Sequence, residues 1–349
     1  MPRPTPLVAP VTIAIRPSRP IPDIVWDSGR KYWETTSRGS QSGILRPQGV
    51  PLRDTQCGTS RPHPRFRRFA SICATCWSQE HRSPLVPLWF DGYMYLQCRP
   101  DFPLAPYVEM LWYCEGYGAM HRRERVLPNG RFQLIIDLAP RPGPSIVLGM
   151  RTGYGILETT NVQSVIGVLF RPGGARPFFD PPADEFCNRL VPLDQVWSSA
   201  SGKLRDRLLE AGNPAARLRV LEADLQRRLG QPAELHSAVR YALGQFSRDP
   251  HAAGIWEVAR DADLSRRRLA GLFREQVGLT PKLYCRLRRF QLVVRRIASG
   301  APVNWAQISL DGGYYDQAHM AHEFREFSGV SPGVWLASER PFVNHAVVD

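Results

Sequence analysis

The chain has 349 residues, 43% of them hydrophobic, which is enough for two ordinary domains with sizeable cores. A net charge of +13 points to a polyanionic partner, and no apolar run reaches the roughly 18–20 residues of a membrane span. Seven irregularly spaced cysteines fit a reducing compartment and no signal peptide opens the chain, so the cytoplasm is the expected location.

Charge alone does not locate the partner's site. Residues 1–93 carry 13 Lys/Arg against 6 Asp/Glu, residues 94–251 carry 19 against 16, and residues 252–349 carry 13 against 10. The first 93 residues also hold 13 of the 32 prolines and show no sustained helical or strand period. Proline fixes φ and removes a backbone donor, so this spacing breaks up helices and ladders alike. Two expectations stand for 1–93: a disordered extension, or a stretch upstream of a natural start at Met94.

Residues 94–191 read as a small β-rich domain. Arg131–Leu138, Ser145–Met150 and Ser164–Phe170 are short β-branched and aromatic runs, and Pro128-Asn129-Gly130 is a turn signal ahead of the first. PYVEMLWYCEGY, around Trp112, is apolar enough for a core but ambiguous in period. Trp112, Tyr113, Phe170, Phe178 and Phe179 are candidates to line an apolar pocket; the alternative is that they fill the domain's core. Residues 192–231 are expected to be a helical connector, with Leu204, Leu208, Leu209, Leu218, Leu221, Leu225 and Leu229 at helical spacing and a dimerising role open.

A self-alignment at an offset of 51 residues carries the functional argument. FREQVGLTP at Phe273–Pro281 matches FREFSGVSP at Phe324–Pro332, and Tyr284 corresponds to Trp335. Each copy parses into two short helices with a tight turn between them, the layout of a helix-turn-helix. In the first copy Ile255–Ala262 is the leading helix, Ser265 caps the second, Leu269, Leu272 and Phe273 face inward, and Gly278 ends it. In the second copy Trp305–Leu310 leads, Gly312-Gly313 is the turn, Asp316 is the cap, Met320, Phe324 and Phe327 face inward, and Gly329 ends it.

Opposite those inward faces lie the candidate DNA-binding residues. They are Arg266, Arg267, Ala270, Gly271 and Arg274 in the first copy, and Gln317, Ala318, Ala321, His322 and Arg325 in the second. Arginine pairs bidentately with guanine and glutamine with adenine, while small residues let a helix approach base edges. Between the copies, Pro281 to about Ser299 predicts one helix of roughly 27 Å, suited to two reading helices in successive major grooves about 34 Å apart.

The segment from about His236 to Ser338, with GYYDQAHMAHEFREFSGVSP at Gly313–Pro332 and LSRRRLAGLF…GLTP before it, resembles the AraC/XylS-type DNA-binding domain. The resemblance implies a bacterial transcription regulator with double-stranded DNA as partner. A small-molecule effector, RNA polymerase and a homodimer come with it as further expected partners. It maps base readers onto Arg267, Ala270 and Gly271, then Gln317, Ala318, Ala321 and His322. The first helix departs from the pattern, since Gly271 stands where a long polar or basic residue is frequent. Residues 94–191, through HRRERVLPNGRFQLIIDL and GVLFRPGGARPFF, resemble the sensor domain of some of these regulators. The expected fold class is α+β multidomain: a disordered extension at 1–93, a β-rich sensor with a cupin-like fold as one option at 94–191, the connector at 192–231, an all-α double helix-turn-helix domain at 232–340 and a tail at 341–349.

Other chemistry reads weakly. Cys73-x-x-Cys76 with Cys57 and Cys98 could supply four thiolates to a structural zinc or to a methyl-accepting repair protein, but no second CxxC accompanies them. His121 and Glu124 are expected at the surface, and Arg171–Arg176 as a turn with solvated arginines. No nucleophile–base set, Walker loop or dinucleotide fingerprint is present, so no catalytic residue, metal or cofactor is expected. An enzyme or a metal-binding repair protein with an appended DNA-binding domain stands as the alternative.

Overall fold

The computed structural model describes residues 93–117, 121–140, 143–159, 163–229, 234–248 and 254–348, with four short strands upstream. These are β1 (Ile13–Ile15), β2 (Trp26–Asp27), β3 (Arg30–Lys31) and β4 (Leu88–Phe90). The rest of the 1–93 extension, with Cys57, Cys73 and Cys76, lies outside the described residues.

The boundary drawn at Met94 falls inside a hairpin. β5 (Tyr93–Cys98) begins one residue earlier and pairs antiparallel with β4, Phe90 opposite Tyr93 and Leu88 opposite Tyr95. Tyr93 is buried, its ring 6.1 Å from that of Phe342. Asp91-Gly92, between two apolar runs, is a strong short-range hairpin signal that the proline load around it obscured.

The domain then continues through β6 (Val108–Tyr117), β7 (Arg123–Val126), β8 (Gln133–Asp137), β9 (Ile146–Leu148), β10 (Gly155–Glu158), β11 (Gln163–Phe170) and β12 (Leu190–Pro192). A seven-stranded antiparallel sheet runs β12-β9-β8-β11-β6-β5-β4. β6 and β11 form its centre, which settles the ambiguous run around Trp112 as a long strand. Leu111 and Tyr113 point into the core while Trp112 stays half-buried on the other face, the period of two that a strand imposes.

The aromatics fill this core and do not line an open pocket. Phe170, Phe178 and Phe179 are buried with ring centroids 5.3–5.9 Å apart, and Phe179 stacks on Trp197 at 5.6 Å. Interdigitated rings at this spacing leave little room for a ligand. Trp112 stacks instead on Tyr95 and covers Gly167, where a Cβ would lie 2.4 Å from the indole.

The expected connector is part of the β-rich domain's own packing. α1 (Leu193–Trp197), α2 (Ser199–Glu210) and α3 (Pro214–Arg228) bury Leu204, Leu208, Leu218, Leu221 and Leu225, while Leu209 remains exposed. Arg205 on α2 donates to the carbonyls of Asp137 and Ala139, and Arg217 on α3 donates to the Tyr113 hydroxyl at 2.6 Å. The leucine stripe is therefore consumed within the chain.

The remaining helices are α4 (Ser237–Arg248), α5 (Ile255–Asp261), α6 (Arg266–Val277), α7 (Pro281–Ala298), α8 (Trp305–Asp311), α9 (Gln317–Ser328) and α10 (Pro332–Ala337). The expected tail is a strand. β13 (His345–Val347) pairs with β7 and completes a second antiparallel sheet, ordered β1-β10-β7-β13. The final residues thus return from the helical region to the β-rich domain.

β7 and the turn after it tie the two regions together. His121 Nε2 and His345 Nδ1 each lie 2.6 Å from an oxygen of Glu124, whose side chain is fully buried, so the expected surface position is corrected. Leu127 N–H donates to the Asn344 carbonyl, and Gln291 of α7 donates to the Pro128 carbonyl at 2.7 Å and to Asn344 Oδ1. Arg151 is buried among them, donating to the Val126 and Leu127 carbonyls, and burial pushes its guanidinium down to about 10.

Candidate nucleic-acid interface

Both helix-turn-helix units form where the repeat places them. In the first, Val258 and Ala259 of α5 are buried, and Asp263 takes the left-handed turn position at φ 52°. Ser265 accepts the Arg268 N–H at 3.2 Å to start α6, and Gly278, at φ 94°, stops it. In the second, Gly313 holds the equivalent turn position at φ 63°, Asp316 accepts the His319 N–H at 2.7 Å, and Gly329 ends α9 at φ 74°. Both turns thus use the left-handed region, which glycine enters freely and aspartate is one of the few side chains to tolerate.

α7 joins the units through different ends of one apolar face. Tyr284 packs on Phe273 at 5.4 Å, and Phe290 packs on Phe324 and Phe327, each at 5.0 Å. The second contact is reinforced by a buried carboxylate. Glu323 is held by Arg286 at 2.7 Å and Arg289 at 3.1 Å, both from α7. Burial alone would lower the Arg286 guanidinium, but the hydrogen bonds it donates to Glu326 and Glu323 and their negative charges outweigh it and hold it above its usual value. Eighteen residues of α7 separate the units by roughly 27 Å of helix axis.

The predicted reading faces are open. Arg266, Arg267, Arg274, Gln317, Ala318, His322 and Arg325 are exposed, and Ala270, Gly271 and Ala321 are half-exposed. Arg267, Ala270, Gly271, Arg274 and Thr280 line a shallow concavity of about 380 Å³ on α6. A Cβ at Gly271 would meet nothing within 4 Å, so the missing side chain itself opens this surface. Arg266 is drawn over the Trp256 ring at 5.5 Å, and Arg274 is paired with Asp184 of the β-rich domain at 3.2 Å. Asp184, Glu323, Arg286 and Arg289 were not singled out from sequence. Of these, Glu323 had a visible signal, as an acid on the apolar stripe Met320, Phe324, Phe327.

A family model described as a helix-turn-helix domain matches residues 258–338. Residues 258–338 are an AraC-type helix-turn-helix domain. The chain is accordingly a DNA-binding transcription regulator. A second model, for a domain of unknown function (DUF6597), matches residues 96–192 and so covers β6 to β12. Comparison with curated proteins gives no match. Among solved structures, ToxT from Vibrio cholerae is similar at 10% identity with a TM-score of 0.35, over 70% of this chain and 98% of that one. ToxT from the same organism with bound unsaturated fatty acid gives 8% and 0.35, over 74% and 97%.

Both ends of the AraC-type pair rest on the β-rich domain. Gly278 at the end of α6 sits against Phe132, Met150 and the Ala183 carbonyl, and Gly329 at the end of α9 sits against Tyr154 and Arg125. Arg125 Nη1 donates to the Ser328 carbonyl at 2.6 Å and its guanidinium stacks over Tyr154 at 4.2 Å. A cation at a helix C-terminus complements the dipole there. Arg171 and Arg176 are occupied too, donating to the Ala105 and Phe179 carbonyls. No helix among the described residues is long and apolar enough to cross a membrane, and none of their His, Cys, Asp and Glu side chains group to hold a metal.

Proposed function

We propose that the chain is a bacterial, cytoplasmic regulator whose α6 and α9 enter adjacent major grooves of an operator. The observation that carries this reading is the pair of equivalent, solvent-facing helix faces held by one 18-residue helix. Arg267, Ala270 and Gly271 read one half-site; Gln317, Ala318, Ala321 and His322 read the other. Arg266, Arg274 and Arg325 flank them as phosphate contacts. The β-rich domain is the sensor, and its contacts with the ends of both reading helices support a regulatory role. A small-molecule effector, RNA polymerase and a second copy of the chain are the partners this reading names, and it assigns the protein no catalytic step.

Selection of bound duplexes from a random pool tests the proposal and yields the operator. Arg267→Ala is expected to relax preference at one position by about 1–3 kcal/mol, and Gln317→Ala or His322→Ala at a position about one helical turn away. Variants that weaken every sequence equally would reduce these side chains to backbone contacts. Gly271→Ala separates fold from reading: alanine in a helix interior should add about 1 kcal/mol of stability, while a shift in the selected sequence at that position would report the filled concavity. An unshifted preference would remove Gly271 from the reading face.

A further inference from the structure

The two reading helices hold equivalent places in the repeat but are treated differently by the β-rich domain. Arg274 and Arg325 occupy the same place in the repeat. Arg274 Nε lies 3.2 Å from Asp184 Oδ2. Arg325 makes no side-chain hydrogen bond or ion pair among the described residues, and the group that the domain brings to the end of its helix is a cation, Arg125. The β-rich domain therefore removes one positive charge from the first reading face and none from the second.

Asp184 is not a stray surface acid. It sits in the 3-10 turn Ala183–Phe186, which packs on α6, and the flanking Ala183 and Phe186 are buried. Phe186 meets Phe132 at 5.6 Å and Phe179 at 5.8 Å, so the turn is anchored in the aromatic core. The Ala183 carbonyl approaches Gly278 closely enough that a Cβ there would lie 3.0 Å away. A repacking of the core would thus move Asp184 relative to α6, since close-packed interiors transmit displacement instead of absorbing it.

From this asymmetry we infer that Asp184 gates the first reading helix by holding Arg274 away from the DNA backbone, while the second helix stays permanently competent. Recognition then has two stages. The second unit anchors the chain on its half-site, and the first gains its backbone contact only when the sensor core moves and releases Arg274. The pair is too exposed to contribute much stability, because solvent screens it. Its consequence is electrostatic. An arginine already neutralised by an internal carboxylate releases no counterion when DNA binds.

This inference rests on the proposed DNA-reading role, and the test separates the two. Binding of the full-length protein is measured against salt concentration, with the duplex recovered by selection and with a random-sequence duplex. Asp184→Asn is expected to steepen the slope of log affinity against log salt by about 0.9, which raises the variant-to-wild-type affinity ratio about eightfold between 1 M and 0.1 M salt. Adding Arg274→Ala to Asp184→Asn should abolish that gain. An unchanged slope in Asp184→Asn, with unfolding also unchanged, overturns the gate. A wild-type protein that recovers no preferred duplex overturns the DNA-reading role itself, whatever the variants do.

Discussion

Replacing Glu323 with alanine is expected to destabilise the second helix-turn-helix unit by about 3 kcal/mol. Glu323 is buried, and both of its cationic partners come from α7. Without the carboxylate, Arg286 keeps only Glu326, and Arg289, which also lies over the Tyr314 ring at 5.2 Å, loses its carboxylate partner. Removing one partner of a buried pair costs more than the pair itself contributes, because the remaining charge has lost its solvent and its counterion together. The first unit has Leu272 at the equivalent place, so its docking on α7 does not depend on charge. Urea dependence of amide hydrogen exchange along α9 reports the loss in the second unit. Exchange within error of wild type would show that solvent reaches the two arginines and screens them.

Replacing Gly329 with alanine is expected to be comparably damaging by a different route. A left-handed residue with a Cβ costs about 1–2 kcal/mol. The added carbon would also sit 2.4 Å from Tyr154 Cε1 and 2.5 Å from Arg125 Nη1. Forcing those side chains aside adds about 1–3 kcal/mol and breaks the Arg125 hydrogen bond to the Ser328 carbonyl. Both unfolding and coupling between the domains should respond. The control is Arg125→Ala, which removes the hydrogen bond without straining the backbone. If Gly329→Ala lowers stability no more than Arg125→Ala does, the strain at φ 74° is absorbed locally and the docking contact carries all of the effect.

The DNA-binding region was legible because local rules dominate there. Ser265, Asp316, Gly278 and Gly329 state where each helix starts and stops, and the repeat checks every reading against a second copy. The β-rich domain was only partly legible. PYVEMLWYCEGY alternates, yet its apolar density hid the alternation, and its partner strand lies some fifty residues away. The Met94 boundary failed because the pairing of Leu88–Phe90 depends on Tyr93–Tyr95, beyond the composition shift that drew attention. Glu124 failed for a related reason. The histidine that completes its burial, His345, is 221 residues further along the chain. Asp184 carries no sequence signal at all, since its meaning arises only from the docking of a 3-10 turn on α6.

β13 also has a consequence for how the protein is made. The edge of β7 that it covers emerges from the ribosome more than two hundred residues before it does. During that interval the sheet presents unpaired backbone donors and acceptors, the feature that templates strand addition between chains. Long-range pairings of this kind also form late. Nascent chains that stall after the β-rich domain are the ones exposed to aggregation, and translation of the helical region doubles as the step that closes the sheet.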